Sequence, residues 1–315
     1  MNNFLFSLNV VAPLFILMAI GYLLREIKFI GKDFFSQLNR FVFRFLLPLM
    51  LFEDIRTSYQ GDFSNTRLIF ASIIGISIVI LLSFIFVPLL VKRKGQRGSI
   101  IQGIYRSNFL IYGLPLATGM YGDAARVEIS MLMGIMIPFY NVAAVIILSI
   151  YSETGAAKPT VKSVLKDIVT NPLILGCATG LLAGMINLRL PQFIDQPISQ
   201  LAATAAPLAL FVMGGEFEFR ALKGNLVKVS VVTVLRLIVV PVAALAVFIQ
   251  MGFREVELAV LLCIFATPAA MAGYIMAKNM GNDGELSAQI VVLSTACSCV
   301  TIFFLVYVLR TWGYL

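Results

Sequence analysis

The sequence predicts an all-α integral membrane protein of ten transmembrane helices, built as two five-helix inverted repeats with crossing discontinuous helices 4 and 9. Three observations carry that prediction: the composition, the number of long apolar runs, and a match between the two halves of the chain. Of 315 residues, 60% are hydrophobic and 13% charged, and the mean hydropathy is +0.94. A soluble domain runs about 45–50% apolar and about 25% charged. This chain has too few charges to clothe a water-facing surface.

A spanning helix needs about 20 mostly apolar residues. Such runs lie near 6–24, 34–52, 68–91, 100–121, 127–151, 164–186, 197–217, 226–250, 256–278 and 286–309. The first apolar run, Asn9–Leu24, has no basic leading region and no small-residue cleavage site, so it reads as a retained span rather than a signal peptide. The longest polar connection, Ser152–Ser163, divides the chain into a first repeat (1–152), a linker (153–163) and a second repeat (164–315).

The halves match at a gapless shift of 159 positions. Pro13-Leu14 falls on Pro172-Leu173, and Ala19-x-Gly21 falls on Ala178-x-Gly180. The string PLMLF from Pro48 falls on PLALF from Pro207, and Gly122 falls on Gly281. Leucine on leucine is expected by chance in so apolar a chain; paired prolines and glycines are not. Five spans is an odd number, so the second copy enters the bilayer from the opposite side. That is the inverted repeat of many secondary transporters, which bind substrate at the repeat interface near the midplane.

Orientation follows from the loop cations. Connections 1–2, 3–4, 5–6, 7–8 and 9–10 hold fourteen Lys and Arg, among them Arg25, Lys28, Lys32, Lys92, Arg93, Lys94 and Arg97. The opposite side holds Arg56, Arg67, Arg126, Arg189, Arg254 and Arg310. The positive-inside rule therefore places both termini away from the cytoplasm. It also explains the net charge of +8 without nucleic acid.

The chain contains no histidine, which excludes His-based acid–base chemistry and His metal ligands. Cys177, Cys263, Cys297 and Cys299 all sit in apolar runs and read as small buried hydrophobes. No enzyme is expected.

Two stretches break the apolar pattern. Arg106–Asp123 reads RSNFLIYGLPLATGMYGD, and Cys263–Asp283 reads CIFATPAAMAGYIMAKNMGND. In hydrocarbon, such breakers are tolerated only where the freed backbone faces protein or a water-filled cavity. The expectation is two interrupted helices that meet near the membrane centre, with substrate bound where they meet. Gly113, Pro115 and Pro268 are the candidate helix-break residues.

Asn108 is the first candidate ligand, because its amide both donates and accepts. The 159 shift places it on Thr267, so each break carries a polar residue. Ser107 stands beside it. Arg106 is a candidate charge partner for a carboxylate, against a plain reading as a side chain snorkelling to the interface. Arg40 and Arg44 read as snorkelling. Arg236 is deeper and must face protein or water. No Asp or Glu stands at mid-span; Glu216, after Gly214-Gly215, is the remaining candidate for ion coupling.

The string SNFLIYGLPLATGMYG from Ser107 resembles the auxin efflux carrier family, which includes plant auxin carriers and bacterial permeases such as malonate carriers. NPLILGCATGLL from Asn171, AAPLALFVMGGEF from Ala205 and ATPAAMAGYIMAKNMG from Ala266 extend the likeness over nearly the whole chain. The resemblance implies ten spans, crossing fourth and ninth helices, carriage of organic anions, and a substrate-contacting role for Asn108. The sequence departs from it at Ser107, where many members have Pro, and at Ser72 and Ile76, where plant carriers place an Asp–Lys pair.

The expected function is secondary active transport of a small organic anion, a mono- or dicarboxylate that is auxin-like or malonate-like, by alternating access. The alternative is a sodium- or proton-coupled symporter or antiporter of the bile-acid type, which shares the inverted-repeat design. Expected partners are the organic anion and the lipid bilayer, with a homodimer compatible and nucleic acid not expected. No cofactor or metal is implied, and a coupling ion, Na+ or H+, is left open. The short, loop-poor chain points to a bacterial inner membrane with both termini periplasmic.

Overall fold

A computed structural model describes residues 3–58, 65–153, 170, 172–216 and 225–315. Most of the expected linker lies outside these residues. The described chain is helical, with no strand; its one extended pairing is a single antiparallel bridge between Ser107 and Ala269.

Among the described residues, six helices are long and apolar enough to cross a bilayer. They are α1 (Asn3–Glu26), α4 (Thr66–Leu90), α7 (Asp123–Tyr151), α9 (Gln192–Glu216), the stretch Leu226–Gln250, and α14 (Gly284–Thr311). The other expected spans fall on shorter or interrupted helices. Lys32–Phe41 (α2) runs into Leu47–Ser58 (α3) through a π-turn at Val42–Leu46. Lys94–Tyr105 (α5) and Leu114–Tyr121 (α6) are two halves of one broken helix, with a π-turn at Phe109–Gly113. Pro172–Met185 is α8. A π-turn at Leu235–Val239 joins Leu226–Val234 (α10) to Val240–Gln250 (α11). Glu255–Ala266 (α12) and Met271–Asn279 (α13) are the second broken pair.

The three π-turns among the described residues share one cause. Each ends two residues before a proline: Pro48, Pro115 and Pro241. Proline has no N–H, and its ring crowds the carbonyl four residues back. That carbonyl belongs to Arg44, Ile111 or Leu237, in each case inside the widened turn. Such widened turns inside helices are frequently functional.

Burial sorts the helices into a wrapped centre and a lipid-facing rim. Nine consecutive residues of α12, Leu258–Ala266, are 0% exposed, so protein surrounds that half-helix on every side. In α4, by contrast, Phe70, Ile74, Ile78, Leu81 and Ile85 are all at least half exposed and recur every three or four residues. That is a lipid-facing stripe.

Two helix pairs pack outside the centre, α1 on α9 and α3 on α8. Both rest on a glycine. A Cβ at Gly21 would lie 2.0 Å from the Phe211 carbonyl oxygen, and one at Gly180 would lie 2.7 Å from the Phe52 carbonyl oxygen. Gly21 and Gly180 are 159 residues apart, and so are Phe52 and Phe211. The sequence match is thus also a match of contacts. Gly122 and Gly281, equally spaced, end the two broken helices at φ +61° and +70°, a conformation that glycine adopts without the Cβ penalty.

Candidate functional site at the crossing of two broken helices

The breaks form where helical hydrogen bonding stops. Pro268 disfavours helical geometry at Thr267, which is extended at φ −72°, ψ 153°. In the other helix, Arg106 leaves α5 at φ −83°, ψ 99°. The break at Arg106–Asn108 lies upstream of Gly113 and Pro115, which instead belong to the π-turn and the first turn of α6. That corrects the expectation that these two residues make the break: Pro115 widens the helix after it has restarted, and Gly113 provides room, since a Cβ there would meet Cys263 Cβ at 3.1 Å.

The two extended segments satisfy one another. Asn108 N donates to the Pro268 carbonyl at 2.8 Å, and Ala270 N donates to the Arg106 carbonyl at 3.1 Å. Ala269 N donates to Ser294 Oγ at 3.2 Å. An unpaired peptide group in an apolar interior costs several kcal/mol, so neither break is independent of the other.

Arg236 caps carbonyls of both first half-helices. It is fully buried, and its guanidinium donates to the carbonyls of Thr267 (2.9 Å), Ile104 (3.0 Å), Ile264 (3.1 Å) and Tyr105 (3.3 Å). These carbonyls lie at the ends of α5 and α12, where each helix leaves about half a negative charge. One arginine therefore answers two helix ends. This settles the deep cation of the sequence as a helix cap.

A cavity of about 240 Å³ opens beside the crossing. The first residues of both second halves line it: Phe109 and Leu110 ahead of α6, and Ala270, Met271 and Ala272 at α13. Apart from Ala270, whose N–H is taken by the Arg106 carbonyl, their backbone N–H groups are the ones a helix start leaves without intrahelical partners. Arg106, Ser107 and Asn108 line it as well, each 6% exposed or less. Arg106 donates to Asn141 Oδ1 at 2.7 Å and to Met276 Sδ at 3.2 Å, and no carboxylate lies within ion-pair distance of it among the described residues. Ser107 Oγ is 3.0 Å from Tyr140 OH. The Asn108 amide reaches only the Met213 sulfur, at 3.4 Å, among the described residues.

A larger cavity of about 590 Å³ shares Phe43, Arg44, Met271 and Ala272 with the first. It is a vestibule on the Lys- and Arg-rich side of the chain. Arg25, Lys32, Arg40 and Arg44 line it against one acid, Glu216. Both Glu216 oxygens accept from Asn39 Nδ2, at 3.0 and 2.8 Å.

The structure thus brings Arg106, Ser107 and Asn108 together at one cavity, with Pro268 at the opposing break. It does not bring Thr267 to that cavity: its hydroxyl, 0% exposed, donates to the Cys263 carbonyl one turn back at 2.7 Å. Glu216 stands in the vestibule, apart from the crossing. Tyr140 and Asn141, which the sequence did not single out, also line the cavity, as does the exposed Arg44. Asn141 carried a signal, a strongly polar residue in the middle of an apolar run, of the same kind that marked Asn108.

The chain is similar in sequence to known transporters. The family described as membrane transport protein matches residues 6–306. A Rhizobium meliloti (strain 1021) chain provisionally named a malonate transporter is 23% identical over 96% of both chains. The uncharacterized transporter MJ1031 of Methanocaldococcus jannaschii is 24% identical over 98% of both. Auxin efflux carrier component 5 of Arabidopsis thaliana is 25% identical over 87% of this chain and 88% of its own. The protein is a multi-pass membrane transporter, and the chain belongs to the membrane transport protein family, that of the auxin efflux carriers.

Proposed function

We propose that the protein is a secondary active carrier of a small organic anion, working by alternating access around the cavity at the crossing. One observation carries this reading: a buried arginine, with no carboxylate partner among the described residues, lines the same cavity as the N-terminal residues of two half-helices. A helix N-terminus attracts anions through its free N–H groups and dipole. A carboxylate accepting from Arg106 and Asn108 would supply the missing negative charge. Arg236 in this reading only holds the crossing, and Glu216 remains a candidate for coupling to a cation.

The ten expected spans fit two five-helix repeats of opposite orientation. The equivalent glycine contacts of α1 on α9 and α3 on α8 support that arrangement. Those pairs would form one body, with the broken helices and their neighbours moving against it. With the vestibule on the cation-rich side, this form is open to the cytoplasm and both termini are periplasmic. The name of the Rhizobium relative makes malonate the first compound to try.

The test is counterflow in proteoliposomes. Vesicles preloaded with unlabelled malonate should take up labelled malonate transiently and saturably. Uptake that is linear in concentration and indifferent to preloading would indicate a channel instead.

A further inference from the structure

We propose that Asp54 is a proton-operated latch on the side of the protein opposite the vestibule: with its carboxyl protonated it holds α7 against α3 and keeps that side shut, and ionised it lets the two helices part. This rests on the reading above, that the protein works by alternating access, and adds what governs one of its two gates.

In that reading α3 and α7 belong to different bodies. α3 is fixed to α8 by the close contact at Gly180. α7 travels with the crossing, because Asn141 accepts from the Arg106 guanidinium at 2.7 Å and Tyr140 OH lies 3.0 Å from Ser107 Oγ. About three turns earlier in α7, Ser130 Oγ donates to Asp54 Oδ2 across the boundary at 3.4 Å. Both residues are buried. Asp54 stands at the far end of α3 from Arg44 and the vestibule.

Asp54 differs from the acid beside it. Glu53 pairs with Arg56 at 2.8 Å, and Arg56 also reaches Asp195 of α9. Asp54 has no cation within ion-pair distance among the described residues. From α7 it faces the exposed Arg126, whose charge favours the carboxylate, and Asp123, whose charge opposes it, as does Glu53 on its own helix. α8 brings no charged side chain. Burial outweighs Arg126, and the Asp54 carboxyl, just past the expected span, is pushed up to about 6. A single serine hydroxyl serves a buried carboxylate poorly, whereas a carboxylic acid can donate to that hydroxyl as well as accept from it. Once α7 lifts away and water reaches Asp54, its pKa returns toward the ordinary value of about 3.9. The closed form therefore binds the proton more tightly, and acid favours it. The gain is complete below about 4 and is lost as pH rises through about 6.

The test reads the distance between spin labels at Thr57→Cys and Ala124→Cys in liposomes, by pulsed electron paramagnetic resonance, with Cys297 and Cys299 replaced by alanine. Both labelled positions are exposed, on the elements that carry the latch. The ratio of short (closed) to long (open) distances should rise at least about tenfold as pH falls from about 7.5 to about 4.5. Asp54→Asn should favour the short distance at every pH, and Arg126→Gln should move the midpoint to higher pH. Two distances whose weights ignore pH, an Asp54→Asn protein that keeps the parent pH dependence, or an Arg126→Gln midpoint below that of the parent overturns the latch while leaving alternating access in place. A single distance at every pH, with and without malonate, in the parent and in Asp54→Asn would overturn the alternating-access reading itself, and the latch with it.

Discussion

Replacing Arg236 by methionine should cost more stability than any other single change at the crossing. The guanidinium makes four hydrogen bonds of 2.9–3.3 Å to carbonyls at the ends of α5 and α12. Bonds from a charged donor contribute about 1.5–3 kcal/mol each, so the gross loss is about 6–12 kcal/mol. Removing a fully buried charge recovers several kcal/mol of desolvation. The net cost is then about 3–5 kcal/mol, a fall in unfolding temperature on the order of 10 °C. Methionine fills similar space, so the loss would come from the orphaned carbonyls and the two uncompensated helix ends rather than from a cavity. Arg236→Lys keeps the charge but has three donors and no planar fork, and should fall between parent and methionine variant. The assay is thermal unfolding of detergent-purified protein. A methionine variant that melts with the parent would refute the capping role and the dependence of both breaks on it.

Three further outcomes are expected. Gly21→Ala places a methyl 2.0 Å from the Phe211 carbonyl oxygen, so α1 and α9 must separate; a loss of about 1–3 kcal/mol should show as a lower unfolding temperature. Pro48→Ala returns an N–H to the Arg44 carbonyl and should straighten the turn, leaving stability level or higher while uptake falls, read in paired melting and transport assays. The Glu153 carboxyl, beyond the end of α7, is held below its ordinary range by the Gly95 N–H and by Arg93. Its folded pKa is depressed, so its contribution is present above about 4.5 and lost on acidification; Glu153→Gln should melt earlier than the parent at neutral pH, and the gap should close as pH falls below that value.

The general architecture was legible because lipid imposes it. Long apolar runs, breakers inside two of them and the cation-rich side are all consequences of desolvating a backbone, and each leaves a trace in one dimension. The location of the breaks was harder. Gly113 and Pro115 look like the interruption, yet the helix stops at Arg106, because pairing with the segment around Pro268 is a long-range interaction that local propensity does not contain. Thr267 was chosen by its place in the repeat, and Arg236 by depth alone; which way either side chain points depends on packing. Arg44 is a partial case. It read as a snorkelling interface residue and is indeed exposed, but from the π-turn before Pro48 it also lines both cavities. The recurrence of proline two residues past each π-turn was in the sequence throughout.

The most direct test of anion binding at the crossing is a thermal-shift titration with malonate on the parent, Asn108→Ala and Arg106→Gln. Arg106 has no carboxylate partner among the described residues, so its neutral variant should fold at least as well as the parent without ligand. Ligand at a hundred times its Kd stabilises the folded state by about 2.7 kcal/mol. The unfolding temperature should rise for the parent and much less, or not at all, for both variants. Equal stabilisation of all three proteins would place the anion elsewhere and contradict the assignment of the cavity.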